Sequence, residues 1–239
     1  VDLFVADPQN ITTNHFAITG PEALHITKVM RKKTGDRIYF TDGQGWQYEG
    51  QIQELGRSAV KGEIIDKSYK PREPGIDLTL AFGLLKGAHN DYIVEKCTEA
   101  GVIAFRPFSS DDSVVTRLGP GKLVRLERIA RAAMKQSLRT VCPTINGAVT
   151  FDALVKQIEK YDRTWLAYEK SSMVLTVEPG AVKRALLIIG PEGGFTEAEV
   201  EAVMEKGGQA FTLGKTRLRS DTAAVLGAGL IISQYWSKA

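Results

Sequence analysis

The chain has 239 residues and a mass of 26.2 kDa, with 31 Lys and Arg against 28 Asp and Glu, 43% hydrophobic residues and 25% charged ones. This balance supports one large or two small globular domains and excludes a disordered or collagen-like chain. The longest uncharged stretch, Thr222–Ser237, is 16 residues with two glycines inside it, short of the ~20 apolar residues a bilayer crossing needs.

Val1–Asn10 carries two Asp and no Lys or Arg, the reverse of a secretory leader, so a cytoplasmic protein is expected. The first seventy residues read as strands and turns: Arg37–Phe40, a turn over Thr41–Gly45, Trp46–Gln53 and Ala59–Asp66, with Asp42-Gly43 as the hairpin signal. Glu22–Lys32 alone looks helical, and the overlapping Leu24–Arg37 is locally basic. A small β-rich domain over 1–70 follows. Lys70-Pro71-Arg72-Glu73-Pro74-Gly75 concentrates Pro, Gly and charge as a linker does.

From residue 71 the pattern alternates. Strands are expected at Ile76–Leu85, Val102–Phe108, Thr164–Tyr168, Ala185–Ile189 and Ala210–Leu213. Helices are expected at Asn90–Ala100, Lys122–Leu138, Phe151–Tyr161, Glu197–Lys206 and Asp221–Tyr235. Near-continuous apolar strands separated by helices indicate a mostly parallel sheet covered on both faces, an α/β domain over 71–239.

The net charge of +3 is unevenly placed: residues 111–140 hold seven basic and three acidic side chains. On the helix expected there, Arg128, Arg131, Lys135 and Arg139 recur at steps of 3, 4 and 4. Like charges in one stripe disfavour a helix mildly, so the stripe points to an anionic partner, with nucleic acid the leading candidate. Ordinary solvated surface is the competing reading. Cys97 and Cys142 form no Cys-x-x-Cys unit, and His15, His25 and His89 lack ligand spacing; two reduced thiols and no metal are expected.

Ligands bind at the carboxyl ends of parallel strands, so the loops there matter most. Gly190-Pro191-Glu192-Gly193-Gly194-Phe195 follows an apolar strand and leads into Thr196-Glu197-Ala198-Glu199, a capping box. Its glycines let backbone approach a ligand, while Glu192 makes a phosphate cradle unfavourable. The second loop, Leu213–Ala224, contains Gly214-Lys215-Thr216, yet Gln209 stands where a phosphate-binding loop needs its first glycine. Gly227-Ala228-Gly229 lacks a third glycine, Ile232 occupying that position, so the dinucleotide fingerprint fails too.

These two loops, with Leu218-Arg219-Ser220-Asp221-Thr222-Ala223, resemble the RsmE-type methyltransferases of the SPOUT superfamily. Leu24-His25 with Val29-Met30-Arg31 and Gly35-Asp36 is similar to the family's N-terminal signature; Lys86, Glu95–Val102, Gln136-Ser137, Arg139 and Pro143 are similar to its central motifs. The chain departs from the pattern at Asp111-Asp112, at Lys135 before Gln136, and at Asp221, where glutamate is customary.

The resemblance implies a PUA-like β-barrel of RNA-binding type, then a SPOUT domain with a C-terminal trefoil knot. It implies methylation of uridine N3 in 16S ribosomal RNA, within the small subunit, by a homodimer using S-adenosylmethionine. The cofactor would lie on Tyr168, Gly190, Pro191, Glu192, Gly193, Gly194, Leu213, Gly214, Leu218, Arg219, Thr222 and Ala223. Methyl transfer from a sulfonium asks for alignment and for stabilisation of the uridine anion; Arg219 is the candidate for the latter, with Glu169 or Glu192 as proton acceptor. RNA would contact His25, Arg31, Lys32 and Lys33 on the rim of the first domain, and Arg128, Arg131, Lys135, Gln136 and Arg139. A non-catalytic RNA-binding protein is the alternative reading, and a phosphate-loop NTPase is disfavoured by the failed spacing.

Overall fold

The computed structural model describes every residue save 1, 57, 111–116, 178–179, 181 and 237–239. Asp111 and Asp112 therefore lie outside the described residues. The chain divides into two compact units, Val1–Glu73 with Met134–Cys142, and Pro74–Ala133 with Pro143–Ala239.

The first unit holds β1 (Leu3–Val5), β2 (His15–Thr19), α1 (Gly20–Leu24), β3 (Arg37–Thr41), β4 (Trp46–Leu55) and β5 (Ala59–Tyr69). Their order is β1-β3-β4-β5-β2, with β1 parallel to β3 and the other pairs antiparallel. The Asp42 carboxylate shapes the turn between β3 and β4 by accepting the amides of Gln44 (2.7 Å) and Trp46 (3.2 Å). Register shifts at Glu49/Gly50 and Ile52/Glu54 curl the β4–β5 ribbon. Phe16 lies across it where a Cβ on Gly50 would fall 2.4 Å from the ring. The expected barrel is thus a curled half-barrel, because among the described residues no strand joins β1 to β2. Phe4, Phe16, Ile18, Ile26, Ile38, Phe40 and Val60 fill it.

The helix expected over Glu22–Lys32 is interrupted. After α1 the chain widens into a π-helical turn, His25–Val29, closed by the Met30 amide on the His25 carbonyl (2.9 Å). Thr27 donates its hydroxyl to the Ala23 carbonyl (2.9 Å), competing with the regular ladder, and Arg31 ends the turn at φ 52°.

The second unit contains β6 (Asp77–Gly83), α2 (His89–Ala100), β7 (Ala104–Ser109), β8 (Thr144–Ile145), β9 (Val149–Thr150), α4 (Phe151–Val155), β10 (Arg163–Ala167), β11 (Arg184–Ile189), α5 (Glu197–Glu205), β12 (Gln209–Phe211) and α6 (Ser220–Ser233). Between α2 and α4 in sequence, α3 (Pro120–Gln136) starts here and ends in the first unit's second segment. The sheet is parallel throughout, in the order β12-β10-β11-β6-β7-β8, with β9 also on β7. Both faces are covered, as the unbroken apolar strands require. Leu78, Leu80 and Phe82 of β6 and Leu187 and Ile189 of β11 pack with α2, α3 and α6; Ala81, Leu186 and Ile188 pack with α4 and α5.

Besides shifts of one or two residues at other ends, two helices of this unit differ from the sequence reading. The helix expected over Phe151–Tyr161 is α4 followed by a short 3-10 turn, Ile158–Lys160. The helix expected to reach Leu138 stops at Gln136, because Leu138 adopts φ 60° and the Arg139 amide turns back to the Met134 carbonyl (3.0 Å).

Candidate active site

The parallel strands β10, β11 and β12 end side by side, and the three loops that follow them enclose a cleft of about 550 Å³. Tyr168 and Glu169 come from the first loop, Gly190–Phe195 from the second, and Thr212–Gly214 and Thr216–Arg219 from the third, with Ser220, Asp221 and Ala223 from the start of α6. Leu85 and His89 supply a further wall beyond β6. The cleft is held open by main-chain ties. The Tyr168 amide donates to the Phe211 carbonyl (2.8 Å), and the Gly194 amide to the Pro191 carbonyl (3.0 Å) in a turn that needs φ 79° at Gly194. At Gly83, where β6 ends, a Cβ would stand 2.5 Å from the Pro191 nitrogen, so glycine lets the second loop approach the sheet.

Phe195 anchors that loop by packing on Phe108 and Phe151, with ring centroids 6.3 and 5.6 Å away. Thr196 then caps α5 in the capping box read from the sequence, its hydroxyl accepting the Glu199 amide while Glu199 accepts the Thr196 amide. In the third loop Gly214 adopts φ 141°, and the Thr212 hydroxyl braces it, donating to its carbonyl (2.9 Å) and accepting its amide (3.2 Å).

All three candidate catalytic side chains line the cleft. Glu192 accepts the Lys86 amide (3.3 Å), which ties the second loop to the end of β6. Glu169 is exposed, with Arg217 3.7 Å away. Arg219 is exposed and its guanidinium has no side-chain partner among the described residues. Of the expected cofactor contacts, Tyr168, the Gly190–Gly194 loop, Leu213, Gly214, Leu218, Arg219 and Ala223 line the cleft, while Thr222 does not. Thr222 turns its hydroxyl to Asp221 (3.5 Å) instead.

Sequence reasoning passed over His89. Its Nδ1 lies 2.7 Å from the Asp221 carboxylate, joining the start of α2 to the start of α6 beside the cleft. Burial raises the Asp221 pKa, but the His89 ring and the Thr222 amide lower it further, so the carboxyl sits below the usual aspartate range.

The residues expected to meet RNA have different settings. Arg128, Arg131 and Gln136 are exposed on α3, and Arg31 and Lys33 are exposed near the π-helical turn. His25 packs edge-on against Phe4, and Lys32 reaches the Arg37 carbonyl (3.4 Å). Lys135 is ion-paired with Glu22. Arg139 is not a surface cation: it is 2% exposed, off the helix, and paired with Glu73 at 2.6 Å.

Comparison with known proteins agrees with this architecture. An RNA methyltransferase domain family matches residues 71–232, and an RNA methyltransferase PUA domain matches residues 18–65. Ribosomal RNA small subunit methyltransferase E of Bacillus subtilis (strain 168) is 34% identical over 232 residues, covering 92% of this chain and 90% of that protein. Its namesake in Mesomycoplasma hyopneumoniae is 31% identical over 214 residues, covering 89% and 91%. Among solved structures, a probable rRNA-methyltransferase from Porphyromonas gingivalis has a TM-score of 0.83 at 28% identity, with 98% of each chain covered. A ribosomal RNA small subunit methyltransferase E from Neisseria gonorrhoeae, bound to S-adenosyl methionine, shares the fold at a TM-score of 0.85 and 24% identity, again over 98% of each chain. The resemblance carried by the Gly190 and Leu218 motifs holds over nine tenths of the sequence, and the chain belongs to the ribosomal RNA small subunit methyltransferase E family.

Proposed function

We propose that the chain methylates N3 of a uridine in 16S ribosomal RNA, within the small ribosomal subunit and in the cytoplasm, with S-adenosylmethionine as methyl donor. The observation that carries this is the cleft itself. Its volume suits a nucleoside-sized ligand, Leu85, Ile189, Leu213 and Leu218 offer apolar walls, and Gly194 and Gly214 leave open space where side chains would stand. Glu169 and Glu192 add negative charge that suits a sulfonium cation. The loop backbones at Gly190–Gly194 and Leu213–Gly214 would hold the cofactor, which supplies an electrophilic methyl group when bound.

The chain's own residues prepare the acceptor. Uridine N3 carries a proton at neutral pH and becomes nucleophilic when it leaves, so negative charge spreads to the flanking carbonyl oxygens. Arg219, with no competing partner, stabilises that charge. Glu169, exposed and not tied to backbone, takes the proton, whereas Glu192 braces the second loop. Because N3 is engaged in duplex pairing, the target base must be unpaired or flipped out. Arg31, Lys33, Arg128 and Arg131 contribute phosphate contacts.

Two further features belong to this reading. A trefoil knot in the C-terminal segment is supported by its path, from β12 at the edge of the sheet to α6 over the central β6 and β11. A homodimer is supported by apolar side chains left exposed on two neighbouring helices, Leu226 and Leu230 on α6 and Tyr92 on α2.

Calorimetry with S-adenosylmethionine and with ATP tests the cofactor: saturable binding of the first alone is expected, and ATP binding would overturn the reading. Arg219→Ala is expected to lower turnover by about 10²-fold or more, a larger loss than in cofactor affinity. Mass-spectrometric mapping of 16S ribosomal RNA from cells with and without the gene identifies the nucleotide.

A further inference from the structure

An aromatic row crosses the first unit from its core to solvent. Phe16 meets Phe40 at 4.6 Å between centroids, Phe40 stacks on Tyr48 at 5.0 Å, Tyr48 meets Trp46 at 6.5 Å, and Trp46 meets Tyr69 at 5.0 Å. The first three rings are buried, Trp46 is half-buried, and Tyr69 is 56% exposed. Trp46 opens β4 and faces Tyr69, which closes β5, so the row leaves the core where this strand pair ends.

Cations gather where the rings emerge. Lys67 Nζ stands 5.2 Å from the Trp46 centroid, and Lys70 Nζ 5.8 Å from that of Tyr69. Arg72 donates to the Gln47 side-chain carbonyl, and neither Lys67 nor Arg72 has a carboxylate partner among the described residues. Two acids of this region are committed elsewhere: Asp42 holds the β3–β4 turn, and Glu73 holds Arg139. The backbone is shaped around the outer ring. A Cβ on Gly45 would stand 2.8 Å from Tyr69 Cε2, and Lys70 is held at φ 49° by its amide on the Gly45 carbonyl (2.7 Å).

Accessible rings flanked by cations match the chemistry of an unpaired nucleotide, whose base offers a π face and whose phosphates offer charge. A lysine over a ring gives up a weak cation–π contact when a base arrives and gains a phosphate. We propose that Trp46 and Tyr69 form a stacking platform for an unpaired base of single-stranded RNA, with Lys67 and Arg72 on the adjoining phosphates. The platform rests on the reading of the chain as an RNA methyltransferase. It deepens that reading by adding an RNA contact separate in sequence from the target base's cleft and from the His25–Lys33 rim. It takes a base by its flat face, so it selects unpaired RNA without selecting sequence.

The test measures binding of the full chain to a fluorescent oligouridylate of about 12 nucleotides and to a duplex RNA of the same length, across a salt series. Tyr69→Ala is expected to weaken single-strand binding by about tenfold and duplex binding by less than about twofold, without changing the salt slope. Tyr69→Leu, which keeps apolar bulk against Trp46, is expected to show the same loss, and Tyr69→Phe to bind as the parent does. Lys67→Ala is expected to reduce the slope of log K against log salt by about 0.7. Parental single-strand affinity in both Tyr69→Ala and Tyr69→Leu, or equal loss on single strand and duplex, overturns the platform. Calorimetry with S-adenosylmethionine on the same samples separates the two claims. A parent chain that binds neither cofactor nor RNA defeats the methyltransferase reading and the platform together. A parent chain that binds both, with Tyr69→Ala matching it on RNA, defeats the platform alone.

Discussion

Asp221 sits in the first turn of α6, where its carboxylate also meets the His89 ring. Its pKa is lower folded than the unfolded value of ~3.9. Such a carboxylate contributes stability above the unfolded value and loses it as pH falls through the folded one. Asp221→Asn is therefore expected to cost about 1 kcal/mol near pH 7 and progressively less below pH ~4, measured as paired urea titrations at the two pH values. The pair escaped the sequence reading because a lone His before a helix carries no signal, and its partner is 132 residues away. Arg139 failed in the opposite sense. Its i+4 spacing from Lys135 looks like a continuing stripe, and only the positive φ at Leu138 removes it from the helix and delivers it to Glu73. The place of Arg219 on the cleft wall, by contrast, was legible, because the motif around it fixes which end of a strand it follows.

Loops at strand ends were the most legible elements. The run Leu186–Ile189, the glycines after it and the Thr196 capping box each carry a local rule, and all three agree on a strand, a close-approach loop and a helix. Gly83 completes that geometry from another strand. Gly83→Ala would drive a methyl group against the Pro191 backbone, which cannot swing aside as a side chain can. It is expected to shift the second loop and to weaken S-adenosylmethionine binding by about tenfold or more, roughly 1.4 kcal/mol, in calorimetry. Parental affinity would show that this loop does not contact the cofactor. The elements that escaped notice were short. β1 has three residues and β2 has five, too few for alternation to stand out. The interrupted helix at His25–Val29 was hidden because a π turn keeps the composition of an α-helix while shifting its hydrogen bonds by one residue.

At the scale of the whole chain, the change from alternating strands to strand–helix repeats near residue 71 announced two architectures, and both are present as a curled antiparallel-rich sheet and a covered parallel sheet. Barrel closure was not legible, since it depends on whether the edge strands meet. Nor was the membership of Met134–Cys142 in the first unit, which rests on pairing across the sequence. Glu73 is 3% exposed at its side chain; it pairs with Arg139 and accepts the amides of Thr140 (2.8 Å) and Val141 (3.0 Å). Glu73→Ala strips a buried guanidinium of its carboxylate and is expected to cost roughly 3–5 kcal/mol. The readout is the denaturant midpoint followed by tryptophan fluorescence, and a change under about 1 kcal/mol would show the pair to be dispensable.

That same clasp sets an order of events at the ribosome. The amino-terminal lobe emerges first, yet the strand of chain that answers Glu73 and bridges Gln44 through Val141 is made about 70 residues later. At ordinary elongation speeds the nascent lobe waits on the order of several seconds with an acidic group poised for burial and no counterpart. Its final locking is thus a late act of translation, finished only when the region flanking α3 has left the tunnel.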